Sequence, residues 1–219
     1  MLKGFRNTKP YSLLPFPACY CQKMRRTPVQ ERSLDTIQQI YAGTSALLAE
    51  MPLEHITTSR IAEAAGISVG ALYRFFPDKQ SIIDSIAVRH MDDFRARLQA
   101  VLLKSLLADG PKFLGLVVDA YVAFLDERPD FRAIAFGQHI SASTKQLQTA
   151  PGAGPGGLVR LFMVKWLGVK SSVSLDLKLS IATEAGERLI AYAYTQPTKN
   201  ERDQVLTEMK QLLSGYLFS

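Results

Sequence analysis

Apolar residues recur at three- and four-residue spacing along almost the whole chain, and no stretch alternates apolar and polar positions long enough to argue a sheet. The spacing predicts an amphipathic helix from about Glu31 to Ala49. A long helix follows from Asp78 to about Leu107, with Ile82, Ile83, Ile86, Phe94, Leu98 and Val101 on its apolar side. Asp109-Gly110-Pro111 breaks the pattern. A helix from Pro111 to Glu127 then carries Phe113, Leu114, Val117, Tyr121, Phe124 and Leu125, and Pro129 stops it. Shorter helices are expected from Asp130 to about Ile140 and from Leu158 to Leu167. The Ser-, Thr-, Gly- and Pro-rich stretch from Ser141 to Gly157 reads as a loop between them. Ser174 to Tyr194 and Lys199 to Leu217 complete the set. With two short helices near residue 66 the count is about nine, and the fold class is all-α.

The two short helices carry the most specific chemical signal. Thr57 is a good N-cap, and Ile56 and Ile61 bracket it at the spacing of a hydrophobic staple. Ile61, Ala62 and Ala65 form a narrow apolar stripe whose small members admit a second helix closely. Gly66 stands where a helix ends in a left-handed residue, and Ile67 can plug the corner. Ser68 caps the next helix, Val69 to Phe75, which turns Leu72 and Phe76 inward. Pro77 ends it, and Asp78 can cap the long helix. Two short helices around a tight turn match the helix-turn-helix of major-groove readers, but equally an ordinary helical hairpin in a bundle.

The flanking residues separate these readings. Thr57, Ile61-Ala62, Ala65-Gly66-Ile67-Ser68, Gly70-Ala71-Leu72-Tyr73, Phe75-Phe76, Lys79 and Ile82-Ile83 follow an order and spacing that resembles the TetR family of bacterial transcriptional regulators. The strong match spans residues 31 to 83; the remainder is compatible in length and helical character. The resemblance implies a three-helix DNA-binding domain over residues 28–80, after a basic extension over 1–27. A helical ligand-binding and dimerisation domain would fill 81–219. It also implies that Tyr73, Lys79 and the hydroxyls of Thr57 and Ser68 meet phosphates, which fixes register without reading sequence. Val69, Gly70, Ala71 and Arg74 lie where the family's reading helix faces base edges. Gly70 would permit close approach, and Ala71 could touch a thymine methyl. Arg74 could pair with guanine or could serve as one more phosphate contact; both readings stand.

The resemblance further implies a small-molecule pocket, for which Val117, Tyr121, Phe124, Phe162 and Trp166 are the candidate wall, although each also suits plain core. Such a wall favours a hydrophobic or amphipathic effector. Glu184 and Arg188, four apart, could add polar contacts or form a surface pair. A homodimer built on the last two helices is implied as well. The small residues Ala182, Ala185, Gly186 and Ala193 would serve it, unless they pack within one subunit.

Charge adds one qualification. Residues 1–30 hold six basic and no acidic side chains, while residues 31–80 hold four basic and six acidic ones, a net of −2. The reading head is therefore not basic in itself. The basic tail could follow phosphates, or could be a solvated extension, with Met24 a possible alternative start. Leu13 to Ala18, interrupted by Pro15 and Pro17, is too short for a signal-peptide core. No apolar run reaches the ~18 residues of a membrane span. Cys19 and Cys21 and the scattered His55, His90 and His139 do not stand at metal-ligand spacing. No catalytic constellation is present, and no metal or cofactor is expected. The sequence predicts a cytoplasmic, dimeric regulator that binds a double-stranded DNA operator and a small-molecule effector. A helical small-molecule sensor or carrier without specific DNA binding is the alternative.

Overall fold

The computed structural model describes residues 31–104, 108–137, 139–142, 144 and 154–218. The basic extension, Cys19, Cys21 and most of the expected 141–157 loop lie outside the described residues. Every regular element among those described is helical: α1 Glu31–Glu50, a 3-10 turn Leu53–His55, α2 Thr58–Ala64, α3 Val69–Phe75, α4 Lys79–Lys104, α5 Gly110–Glu127, α6 Pro129–Phe136, α7 Gly154–Lys165, α8 Val173–Ala193 and α9 Lys199–Phe218.

The first core is built by α1 to α3 and the start of α4. Ile37, Ile40, Tyr41 and Leu48 of α1 meet Leu53, Ile56, Ile61, Ala62, Ala65, Leu72 and Phe76, closed by Ile82, Ile83, Ile86, Ala87 and Val88 of α4. Thr44, fully buried on the same face, sends its hydroxyl to the Ile40 carbonyl at 2.7 Å. Gly43 sets how tightly α1 seats: a β-carbon there would stand 2.9 Å from the backbone carbon of Ala64 and the amide nitrogen of Ala65. The small stripe of α2 thus admits the backbone of α1 itself.

The second core is aromatic. Phe94 of α4, Phe113 and Phe124 of α5 and Phe131 of α6 are fully or almost fully buried, alongside Phe162 and Met163 of α7 and the inner faces of α8 and α9. Phe94 lies 5.3 Å from Phe124, which in turn lies 5.7 Å from Phe131, in the tilted arrangements that aromatic quadrupoles favour. Capping shapes this half. Asp109 accepts from the Lys112 amide, Ser172 from Leu175, and Thr198 with Glu201 forms a reciprocal capping box at the start of α9.

Three boundaries differ from the sequence reading, and one packing face left open there takes the intrasubunit alternative. α6 ends at Phe136, not near Ile140: Gly137 caps it, and Ser141 is drawn away to the Asp84 carboxylate of α4. α7 starts at Gly154, inside the expected loop, because Pro155 suits a first turn that needs no amide from it. It ends at Lys165 rather than Leu167, where Gly168 at φ 68° turns the chain and the Val169 amide reaches the Met163 carbonyl. On α8 the small residues Ala182, Gly186 and Ala193 are buried inside the subunit. A β-carbon on Gly186 would lie 3.4 Å from Leu213 of α9, so this face packs on its own chain.

The two cores are joined at α4 and α6. Ile134 of α6 is fully buried in the first core, with Ala133 packed against it, while Phe131, Ala135 and Phe136 of the same helix belong to the second. His90 of α4 and Asp130 of α6 form a buried pair at 2.9 Å. Burial opposes ionisation of Asp130. The His90 bond and charge, a Ser45 hydroxyl of α1 and the Phe131 amide outweigh it and hold the carboxyl down at about 2. Asp130 is therefore the acceptor, and His90 donates through Nε2.

Two measurements check this account. Gly43→Ala gains helix propensity but forces α1 off α2, and should lower unfolding free energy by about 2 kcal/mol in urea titration. Asp130 ionises more readily folded than unfolded, where its value is the ordinary 3.8. Its contribution, on the order of 2 kcal/mol, is present above pH ~4 and lost as pH falls towards ~2. Asp130→Asn should lower stability at neutral pH by that amount and flatten the curve of stability against pH across that acid window.

Candidate nucleic-acid interface

The turn between α2 and α3 is built by its caps. The Thr57 hydroxyl oxygen accepts from the Arg60 amide at 3.3 Å, and the Ser68 oxygen accepts from Ala71 at 3.1 Å. Gly66 adopts φ 66°, and the Ile67 amide turns back to the Ala62 carbonyl at 3.0 Å. That left-handed conformation is what glycine supplies without a β-carbon penalty. Ile67 packs on the first core, and Leu72 and Phe76 are fully buried, so the opposite side of α3 is fixed outward.

That outward side carries Val69, Gly70, Tyr73 and Arg74, all exposed, with Ala71 half-buried beside them. A β-carbon at Gly70 would meet only the Ser68 hydroxyl, at 4.0 Å, so nothing inside the protein requires a glycine there. Both capping hydroxyls use a lone pair towards the helix and keep their hydrogens for an outside acceptor. The Tyr73 phenol stands 3.2 Å from the hydroxyl of Thr58, a residue the sequence reading passed over. The two are fifteen positions apart, and only the angle between α2 and α3 brings them together.

The cations are distributed less simply than the sequence implies. Lys79, expected at a phosphate, points its ammonium inward to the carbonyls of Leu53 at 3.0 Å and Ile56 at 2.9 Å, where it ties the 3-10 turn to the start of α4. Two of its three donors are thereby used. Arg60 bonds the His55 carbonyl and the Met51 sulfur. Arg74 makes no hydrogen bond or ion pair with the described residues. It is the cation of α2 and α3 left for an outside partner.

Of the candidate pocket residues, Val117, Tyr121, Phe124 and Phe162 belong to the second core, whereas Trp166 lies outside it. Phe162 stacks on Phe113 at 3.8 Å and on Trp166 at 6.1 Å, while Phe94 lies 5.0 Å from Tyr121. Val117, Phe124 and Phe162 are buried, as core side chains are. Tyr121 and Trp166 keep accessible surface. Burial nonetheless raises the Tyr121 phenol well above its ordinary pKa, with Glu187 and Tyr194 adding to the shift.

Known proteins share both halves. Residues 40–86 match the family described as bacterial regulatory proteins, tetR family, and residues 111–217 match the tetracyclin repressor-like C-terminal domain. Over 68 residues the chain is 38% identical to the nucleoid occlusion factor SlmA of Haemophilus ducreyi, an alignment covering 31% of this chain and 32% of that protein. The chain thus matches about a third of the length of that relative. Among solved structures, a TetR-family transcriptional regulator from Streptomyces coelicolor superposes with a TM-score of 0.64 at 23% identity, over 83% of this chain and 97% of the other. The fatty acid degradation regulator FadR from Bacillus halodurans gives 0.60 at 15% identity, over 89% and 99%. These two likenesses concern the fold, whereas the two matched domains span the head and most of the body. The chain belongs to the TetR family of bacterial transcriptional regulators.

Proposed function

We propose that the protein is a cytoplasmic, non-enzymatic homodimer that binds a double-stranded operator through α3 and leaves it when a small hydrophobic or amphipathic molecule binds the body. The observation that carries this reading is the outward face of α3, where Val69, Gly70, Ala71 and Arg74 stand between the hydroxyls of Ser68 and Tyr73 over a fully buried Leu72. In this reading Thr57, Ser68 and Tyr73 hold phosphates, and the remaining donor of Lys79 can join them. Gly70 lets α3 approach the bases, Ala71 meets a thymine methyl and Arg74 reads guanine. The DNA-binding part occupies residues 28–80 and the effector and dimer part 81–219.

A dimer is supported by α8. Val173, Leu177, Ile181, Glu184, Arg188 and Tyr192 recur every three or four residues along its length, and all are exposed, on the side opposite the face packed against α9. Val173 is 86% exposed and Leu177 61%, more than isolated surface residues explain. Leu212 of α9 adds to the same apolar supply. A second copy covering this stripe would set two α3 helices for successive major grooves, ~34–36 Å apart.

The effector reading rests on the part-accessible Tyr121 among the buried Val117, Phe124 and Phe162 of the second core, with Trp166 stacked on Phe162 at its edge. Its coupling to DNA rests on α4, whose side chains enter both cores, and on α6, which puts Ile134 into the head core. A ligand that binds the spread arrangement of α4 more tightly than the operator-bound one lowers DNA affinity by that ratio.

Two measurements bear on this. Arg74→Ala should alter which sequences are enriched from a random-duplex pool, with a loss of about 1–3 kcal/mol at one base pair and little change elsewhere. An equal loss on every sequence would make Arg74 a phosphate contact. Leu177→Glu combined with Ile181→Glu should convert the protein to monomers in sedimentation while leaving its helical circular dichroism intact, and should reduce operator affinity at least tenfold.

A further inference from the structure

Thr58 and Tyr73 share one hydrogen bond, 3.2 Å between oxygens, and either could donate it. Counting hydrogens narrows the choice. Two hydroxyls hold two hydrogens; one is used between them, and the other is left to point outward. A phenol is the stronger donor of the two, so an anionic acceptor outside draws the phenolic hydrogen towards itself. Thr58 must then donate to the Tyr73 oxygen. Thr58 is half-buried at the first position of α2, and its branched side chain has few rotamers. Tyr73 is 39% exposed and carried on α3.

We propose that Thr58 is a positioning residue for DNA binding: its hydroxyl donates to the Tyr73 oxygen, holding the phenol aimed outward and strengthening its donation to a phosphate oxygen. The inference rests on the reading of Tyr73 as a phosphate contact given above. Hydrogen bonds in series polarise one another, so the phenol bonds the phosphate more strongly with Thr58 behind it than alone. The bond also links the two helices. Thr58 is on α2 and Tyr73 on α3, so the anchor depends on the angle between them and is lost when that angle opens. The relay carries no charge. It adds affinity on any sequence without adding to the number of cations displaced from DNA, which sets the slope of affinity against salt.

The test is a double-substitution cycle on the full-length protein, with a 30-base-pair duplex of arbitrary sequence as probe at ~50 mM salt, where binding is sequence-independent. Thr58→Val keeps the shape and removes the hydroxyl. Thr58→Ser keeps the hydroxyl. Tyr73→Phe removes the contact. Thr58→Val should weaken binding about three- to tenfold, the range of one hydrogen bond, and Tyr73→Phe by at least as much. Thr58→Ser should retain most of the affinity. In the Tyr73→Phe background Thr58→Val should have no further effect, and neither change should alter the salt slope. Melting temperatures of all five proteins separate binding from folding, and Thr58→Ala replaces Thr58→Val if the latter melts early. If Tyr73→Phe weakens binding and Thr58→Val does not, the relay is overturned and the Tyr73 contact survives. If Tyr73→Phe has no effect, the contact itself fails and the relay with it. If Thr58→Val weakens binding equally in both backgrounds, Thr58 touches the phosphate directly and the direction of donation proposed here is wrong.

Discussion

α4 cannot move as part of one core without disturbing the other. Ile82, Ile83, Ile86, Ala87 and Val88 are buried in the head, and Met91, Phe94 and Leu98 are buried in the aromatic body, with His90 between the two sets. Interiors packed at crystal density do not deform smoothly, so a shift of α4 in the body requires repacking in the head. α6 doubles the constraint. Asp130 holds His90, Ile134 fills the head core, and the chain beyond α6 is fastened by Ser141 to Asp84 and by the His139 carbonyl to Gln80. Each of these attachments crosses from the body to the helix that supports α3.

The polar parts of that joint are what makes it specific. Asp84 is almost fully buried, and its carboxylate accepts from Gln80, from the Ser141 amide and from the Ser141 hydroxyl. A buried carboxylate is tolerated only when its lone pairs are met, so the chain after α6 has few other places to lie. Apolar contact alone would hold the two halves together without fixing their register.

The local code was legible and the long-range code was not. Thr57, Ser68 and Asp78 as caps, Gly66 as a left-handed stop and Leu72 and Phe76 as inward residues all follow from rules acting within four or five positions, and the structure has each of them. The inward bonds of Lys79 were not legible, because its acceptors lie 23 and 26 positions away, on and just after a 3-10 turn that hydrophobic periodicity does not reveal. The small face of α8 fits two geometries, within a subunit or between subunits, and composition does not choose between them. Gly43 escaped notice because a glycine inside a helix reads as a weakness until the neighbouring backbone, 2.9 Å from the missing β-carbon, is in view.

These placements change how the head must hold DNA. A reader that relied on cations would present them, yet of Arg60, Arg74 and Lys79 two are bonded to the protein's own carbonyls. What the surface does present is a row of hydroxyls, from Thr57, Thr58, Ser68 and Tyr73, each oriented by a bond inside the protein. Neutral donors gain little from long-range attraction and are worth most when they are already aimed, since an aimed donor loses less freedom on binding. On the proposed reading, a head with a formal charge of −2 over residues 31–80 depends on geometry to a degree that a basic one would not. A small change in the angle between α2 and α3 would, on the same reading, misdirect several of these donors together, while leaving the charge of the head unchanged.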